Sequence, residues 1–558
     1  MAFGLIDYVV FGSMLFISAA IGTFYRFTGG KQKTDDEYLL GDRNQNPILV
    51  AVSLMASFMS SISILGGDAE VFNYGTHFYT INIGCQIGIL IAMVCYVPVF
   101  LKLESVSMYQ YLELRFGKTL RIVSSSAFIV QMILYMSIVL VAPSIALQII
   151  TQMPYVTCIL IVGFVCTFYS TIGGIKAVIL TDLFQGSLMF ISLFCVFITA
   201  YLHFGGFSKV FEIARDHGRL DFGNFSFDPT VRHSWFSTLV GGAIQGITLN
   251  GINQTQIQRY RTLKNRKAVN RSILYFGPIM IALSLCTMMT GLIVFARYHD
   301  CDPQRSGKIL KTDQVLPLYV IDNFELPGLS GLFVAGIFSA ALSTISPLLN
   351  SLAAVTVEDY FKPIYFKVKG KQFKQKTSII SQILSLTYGS LCIIIALLTL
   401  NMKSMLTAAI VVFNVVGGPI LGMFSLGIFV PLANQWGTLV GFISGLIVTS
   451  WISIGQPRPP PVPLPTRVDG CPAGTVLLNQ TTPILGRENY PYLFRISYLF
   501  YGVIGFSVTF FLGILFSLIF RSKNEKKIEP ELLHELVAGS MANKKTELIT
   551  TDNTDDVE

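Results

Sequence analysis

The chain has 558 residues, of which 52% are hydrophobic and only 13% charged, with a formal net charge of +8. A mean hydropathy of +0.60 lies far above the soluble range. It excludes a water-soluble enzyme or a nucleic-acid-binding domain, since little chain is left to fold in water. The expected class is an all-α polytopic membrane protein.

A membrane helix needs about 20 apolar residues, and roughly thirteen such stretches follow one another. They lie near 7–27, 47–71, 80–101, 121–148, 155–173, 177–202, 235–256, 271–297, 329–354, 379–400, 403–430, 437–455 and 495–520. The first has no basic segment before it and no small-residue cleavage pattern after it, and reads as a retained helix.

The second contains Ala56-Ser-Phe-Met-Ser-Ser-Ile-Ser-Ile-Leu-Gly-Gly67. Serines at 57, 60, 61 and 63 cover much of the circumference, so some must face protein, water or ligand. A helix unwound here frees carbonyls for a cation. Asp68 and Glu70 follow at the outer end, where they are expected to be solvated. The sixth stretch carries Asp182 near its cytoplasmic end. An intramembrane carboxylate is costly, and is either functional or paired, with Lys176 or another helix as a structural partner.

The ninth stretch carries Ala340-Ala-Leu-Ser-Thr-Ile-Ser-Pro-Leu-Leu-Asn-Ser351. Ser343 and Thr344 offer neutral oxygens, and Pro347 removes the usual helical donor from the Ser343 carbonyl. A small hard cation such as sodium binds through oxygens of this kind. Hydroxyls in membrane helices also bond their own backbone or glue helices together, and both readings stand on the residues alone.

Three segments interrupt the helices. Residues 298–328 form an outer loop whose patch Val315–Ile321 suits a lid helix. Residues 456–494 open with a run of prolines, an extended spacer. Residues 1–520 form the transmembrane domain by this division, and 521–558 a charged, disordered tail with a short helix around 529–539.

Basic loops at 102–121, 259–271 and 362–376, together with the tail, fall on one side. That side is the expected cytoplasm, which leaves the N-terminus outside. Sequons at Asn224 and Asn479 then lie outside and are expected to be glycosylated. Of nine cysteines, only Cys301 and Cys471 lie in outer loops, where a bridge between them is possible. The six histidines fall in loops or at span ends. No span carries a paired-acid or His-plus-acid constellation, and no phosphate-cradling GxxxxGK is present, so neither an enzyme nor an ATP-driven pump is expected.

Several strings occur in order through the spans. They are Glu37-Tyr-Leu-Leu-Gly with Arg43, Ala56-Ser-Phe-Met-Ser with Leu65-Gly and Glu70, Tyr109-Gln-Tyr-Leu-Glu-Leu-Arg-Phe-Gly117 and Ala142-Pro-Ser-Ile-Ala-Leu147. Next come Gly173-Gly-Ile-Lys-Ala-Val with Thr181-Asp-Leu-Phe-Gln185, and Asn253-Gln-Thr-Gln-Ile-Gln-Arg-Tyr260. Ser343-Thr-Ile-Ser with Asn350-Ser, and Gly417-Gly-Pro-Ile-Leu-Gly-Met-Phe-Ser-Leu-Gly427, complete the set. On these strings residues 35–520 resemble the sodium/solute symporters, in the branch of the monocarboxylate, multivitamin and iodide carriers.

The resemblance implies thirteen helices with a LeuT-like five-plus-five inverted-repeat core and Na+ as the co-transported ion. It implies a sodium site made by the carbonyls of Ala56, Met59 and Ala340 and the hydroxyls of Ser343 and Thr344. Asp182 matches a family aspartate near the cytoplasmic sodium exit. Phe58, Ser60, Ser63 and Asn250 are the candidate substrate residues.

The chain departs from its branch at Leu65-Gly-Gly-Asp68-Ala-Glu70, where relatives tend to have a proline, and at Val141, where they often have Tyr. Leu249 and Asn250 stand where sugar carriers have gating aromatics, and Ile410 where they have a sugar-binding glutamine, which disfavours sugar. The expectation is plasma-membrane import of a small organic anion, a monocarboxylate or a carboxylate vitamin such as biotin or pantothenate. An iodide-like inorganic-anion symporter and a non-transporting sensor of the same fold are the alternatives.

Overall fold

The structure is a computed structural model that describes residues 3–27, 43–103, 106–172, 175–371, 373, 377–399, 404–473, 475, 477–478, 486–521 and 528–540. The described residues are helical and contain no strand. The elements used below are α1 (Leu5–Phe27), α2 (Pro47–Phe58), α3 (Ser61–Tyr74), α4 (Ile81–Cys95), α5 (Gln110–Arg115) and α6 (Lys118–Thr151). They continue with α7 (Tyr155–Ile172), α8 (Ile175–Phe204), α9 (Phe207–Asp216), α10 (Trp235–Gly251), α11 (Gln254–Tyr260) and α12 (Arg266–Tyr298). The last are α13 (Val315–Asn323), α14 (Leu329–Thr356), α15 (Thr377–Leu398), α16 (Met405–Phe429), α17 (Gln435–Ile454) and α18 (Tyr501–Ile519).

Among the described residues ten helices are long and apolar enough to cross a bilayer, and α2 with α3, bent by 56° at their junction, makes eleven. The expected thirteen is not reached on length and apolarity. The stretches near 155–173 and 235–256 are helical, but α7 has 18 residues and α10 has 17. In α10 the cause is a break after Gly251.

Both broken helices follow from local chemistry. Asn46 caps α2, with Pro47 in its first turn, and Met59 leaves the helix at φ −83°, ψ 91°. Ser60 then caps α3, its Oγ accepting from the Ser63 N–H at 3.4 Å. Serines compete for backbone donors in this way, so a serine run ends one helix and starts another. Ser234 caps α10, and after Ile252 the Asn253 side chain accepts from the Thr255 N–H at 2.9 Å and starts α11. The two interruptions fall in the second and seventh of the thirteen stretches, five apart, as corresponding positions of two five-helix repeats would.

Helix α14 is buried almost along its whole length and is surrounded by α1, α6, α7, α8 and α15. Gly336 lets α8 press onto it, since a Cβ there would stand 2.3 Å from the Ser192 Oγ. Gly242 and Gly246 of α10 meet the backbone of α4 just as closely. Small residues at these crossings give the van der Waals contact that holds helices together in lipid.

At the end of the bundle that carries the loop 298–328, Cys301 and Cys471 are joined as a disulfide, and the apolar patch forms α13. The proline segment is tied down rather than loose. The Leu464 N–H donates to the Asn73 carbonyl at 2.7 Å, and buried Arg219 donates to the carbonyls of Leu464 and Pro465 at 3.2 and 2.8 Å. Asn479 lies outside the described residues.

On the opposite side residues 528–540 of the tail carry short helical segments where a short helix around 529–539 is expected, and they pack against the bundle. The Leu532-Leu533 pair is buried, the Tyr111 hydroxyl of α5 donates to the Leu532 carbonyl at 2.9 Å, and the His534 N–H donates to the Ile428 carbonyl at 3.1 Å. Two leucines inside a polar tail have apolar surface to hide, and the end of α16 receives them.

Candidate ion and substrate site

The carbonyls at the C-terminal end of a helix lack intrahelical donors. At the end of α2 those of Ala56 and Ser57 meet α14 instead. The Ser343 Oγ donates to the Ala56 carbonyl at 2.8 Å and stands 3.2 Å from that of Ala340. The Thr344 Oγ1 stands 2.9 Å from the Ala340 carbonyl and 3.4 Å from that of Ser57. In return the Ser57 Oγ donates to the Ser343 carbonyl at 2.7 Å, the group that Pro347 leaves without a helical donor. Four residues expected around sodium, Ala56, Ala340, Ser343 and Thr344, therefore share one knot of oxygens. Met59 sits at the helix break beside it. The donor set is neutral and oxygen-only, as sodium prefers.

The knot borders a cavity of about 130 Å³ between the two broken helices. Ser57, Met59 and Thr344 line it on the knot's side, with Phe58, Ser60 and Ser63. Asn82, Tyr135, Gln245, Asn253, Gln256 and Ser284 supply other polar groups, and Leu249, Leu406 and Ile410 apolar ones. No Asp, Glu, Lys, Arg or His is among its lining residues. Asn250 is not among them either. It is buried with its amide donating to the Gly246 carbonyl at 3.0 Å, one turn back in α10, while its neighbours Leu249 and Asn253 line the cavity.

Asp182 is buried and has a partner that sequence reasoning does not supply. The Arg259 Nη2 of α11 donates to its carboxylate at 2.8 Å, as does the Ser53 hydroxyl at 2.6 Å. Arg259 also donates to the Ser57 Oγ, so one hydroxyl joins the oxygen knot to this ion pair. By sequence Arg259 counts only as one of the basic residues of a cytoplasmic loop. The signal that could have found it is the string Gln254–Tyr260, polar and directly after a helix break.

A second ion pair lies on the other side. Glu70 is buried, not solvated, and Arg232 donates to its Oε1 from Nε at 2.9 Å and from Nη2 at 2.7 Å. The guanidinium lies 4.1 Å from the Tyr74 ring and 4.9 Å from that of Tyr498. His233 places Nε2 3.3 Å from Glu70 and 3.0 Å from the Tyr498 hydroxyl, and burial together with Arg232 keeps its pKa well below the ordinary value. Asp68 is also buried, accepting from the Thr290 hydroxyl at 2.6 Å. Asn224, the described sequon, sits in the same outer region with its amide donating to the His233 carbonyl at 3.0 Å.

Residues 38–445 match the profile of the Sodium:solute symporter family. The chain belongs to that family. It is 44% identical to a putative sodium-dependent multivitamin transporter of Drosophila melanogaster, over 92% of this chain and 86% of that one. It is 41% identical to the human sodium-coupled monocarboxylate transporter 1, over 92% and 87% of the two chains. Among solved structures, a Na+-coupled sialic acid symporter in a substrate-bound outward-open state superposes with a TM-score of 0.75. It covers 93% of this chain and 98% of its own, at 23% identity, and so fixes the fold as that of a LeuT-like sodium symporter. The chain is a multi-pass membrane transporter of this family, with Na+ as the co-transported ion.

Proposed function

We propose that this chain imports a small organic monoanion, a monocarboxylate or a carboxylate vitamin, across the plasma membrane by sodium symport. The proposed ion site is the knot of Ala56, Met59, Ala340, Ser343 and Thr344, and Asp182 with Arg259 stands on the sodium exit. The proposed orientation puts the N-terminus outside and the C-terminus in the cytoplasm.

The observation that carries the reading is the cavity's composition. It has hydroxyls and amides but no fixed charge, and it shares Ser57 and Thr344 with the oxygen knot. A carboxylate entering such a place has neutral donors for its oxygens and needs a nearby cation for its charge. Sodium in the knot is that cation, so ion and anion favour each other's binding, which is coupling in its thermodynamic sense. The names of the multivitamin and monocarboxylate relatives point to the same substrate class.

The test is uptake of radiolabelled monocarboxylates, biotin, pantothenate, iodide and sugars in cells expressing the chain, with sodium or with choline. Saturable, sodium-dependent uptake of an organic anion is expected, with a KM that rises as sodium falls. Saturable uptake of a neutral sugar without response to any carboxylate overturns the substrate, and an anion KM indifferent to sodium overturns the shared site.

A further inference from the structure

A larger cavity, about 480 Å³, opens on the outer side, and its walls carry the charge that the central one lacks. It is lined by Tyr74 and His77 after α3, by Asp221, Arg232 and His233, by Thr407 and Val411 of α16, and by Arg458 with the prolines that follow. The two cavities lie back to back. His77 faces the outer one while the next residues, Phe78 and Tyr79, face the inner one, and Thr407 and Val411 face outward where Leu406 and Ile410 face inward. A layer one side chain thick separates them.

Among the described residues that line the outer cavity, three arginines, Arg232, Arg458 and Arg495, stand against one carboxylate, Asp221. Arg232 is matched by Glu70. Arg458 makes no ion pair among the described residues. Its Nη1 donates to the Ser453 carbonyl at 3.0 Å and its guanidinium lies 5.5 Å from the Tyr501 ring, which leaves most of its five donors unused. Burial lowers its pKa, and the charge of Arg232 lowers it further, so the two cations feel each other across the cavity. His77 also lines the cavity, but both its ring nitrogens are buried and do not open onto it. The opposing group is Asp221, exposed, with its Oδ1 accepting from the Gly223 N–H at 2.7 Å. The roof is the proline segment that Arg219 ties down, so Arg458 is presented on a fixed wall.

We propose that this outer cavity is a second anion site, in which a small carboxylate is held by the Arg458 guanidinium before crossing the Phe78–Tyr79–Leu406 layer to the central cavity. The proposal rests on the reading of the substrate as an organic monoanion. Its role is capture: a basic vestibule raises the local concentration of an anion, which the central cavity then binds with sodium.

The experiment is propionate uptake at saturating sodium, with equilibrium binding of radiolabelled propionate to the purified full-length protein. Arg458→Gln is expected to raise the KM about fivefold, with Vmax per transporter at the surface retained, while Asp221→Asn lowers it. Raising ionic strength with an impermeant salt should shrink the Arg458 effect. Wild-type protein is expected to bind propionate at two sites and Arg458→Gln at one. Should Arg458→Gln fail to reach the surface, Arg458→Lys keeps the charge and should keep the low KM. One propionate site in the wild type with an unchanged KM in the variants overturns the proposal. Absence of any anion uptake by the wild type instead overturns the substrate reading on which it rests.

Discussion

The two ion pairs that flank the central cavity are built alike in charge and differently in surroundings. At the inner pair Arg259 and Asp182 are both 1% exposed. Arg259 leaves Nε and Nη1, and Asp182 leaves Oδ1, without a hydrogen-bond partner among the described residues. At the outer pair Arg232 is 22% exposed, lies against two tyrosine faces and also reaches the Thr407 hydroxyl at 3.1 Å. The inner pair is a buried, under-bonded plug tied to the oxygen knot through Ser57. The outer pair, a buried Glu70 held by a partly exposed Arg232, is a well-supported clasp. A buried ion pair with unsatisfied donors contributes little net stability, while losing one partner strands a charge. The inner pair is therefore easy to open as a unit and costly to break by half, which suits a gate that must part when sodium leaves.

The largest expected effect follows directly. Arg259→Gln leaves Asp182 buried without its cation, at a cost of about 3 to 5 kcal/mol, and should abolish uptake and lower the thermal stability of the purified protein. Adding Asp182→Asn should restore much of the stability without restoring uptake. If the double variant is as unstable as the single one, the inner pair is structural glue and the contrast with the outer pair collapses.

Next in size is the knot that the inner pair hangs on. Ser343→Ala with Thr344→Ala removes two neutral oxygens, at about 1 to 1.5 kcal/mol each, so the sodium concentration for half-maximal uptake should rise about a hundredfold. An unchanged sodium activation curve, with normal surface expression, would remove the site assignment. The outer pair should respond more mildly. Glu70→Gln leaves Arg232 with Thr407, two aromatic faces and water, and should cost about 2 kcal/mol of stability, with uptake reduced less than tenfold. A loss as complete as that of Arg259→Gln would show that exposure does not distinguish the pairs.

Much of this was legible in the residues, and the rest has identifiable reasons. The serine run announced the break between α2 and α3, and Ser343, Thr344 and Pro347 announced oxygens on α14, because polar atoms inside hydrocarbon must be used. The second break was hidden, since Gly251-Ile-Asn253 interrupts a hydrophobic run too briefly to lower its mean hydropathy. The partners of the acids were hidden for another reason. Arg259 lies 77 positions from Asp182 and Arg232 lies 162 from Glu70, and pairing over such separations is decided by helix packing rather than by local pattern. Arginines near span ends also look the same whether they face lipid headgroups or a buried carboxylate. The docking of Leu532 and Leu533 escaped notice because two leucines are too few to outweigh a charged tail.

The smallest expected effect sharpens the contrast through pH, because the outer region contains a titratable acid that is unpaired by any arginine. Asp313, in the outer loop before α13, accepts from the Met405 N–H at the start of α16 at 3.2 Å and is 2% exposed. Burial pushes its pKa up to about 7, the Met405 N–H pulls it down, and the charge of Glu70 pushes it up again. A carboxyl with a raised pKa keeps its proton in the folded protein at pH values where the unfolded chain has released it. Stability from this group is therefore fullest on the acid side and falls as pH rises from the ordinary value of 3.8 through about 7. Between pH 6 and 8 the loss should be about 1 kcal/mol, read as a lower melting temperature of the purified protein. Asp313→Asn should flatten that slope, and Glu70→Gln should move its midpoint to lower pH by removing the neighbouring charge. The inner variants should leave the slope where it is. A pH profile that Asp313→Asn does not change would mean that the acid ionises without consequence for α16, and the outer clasp would then be as insensitive to protons as the inner plug.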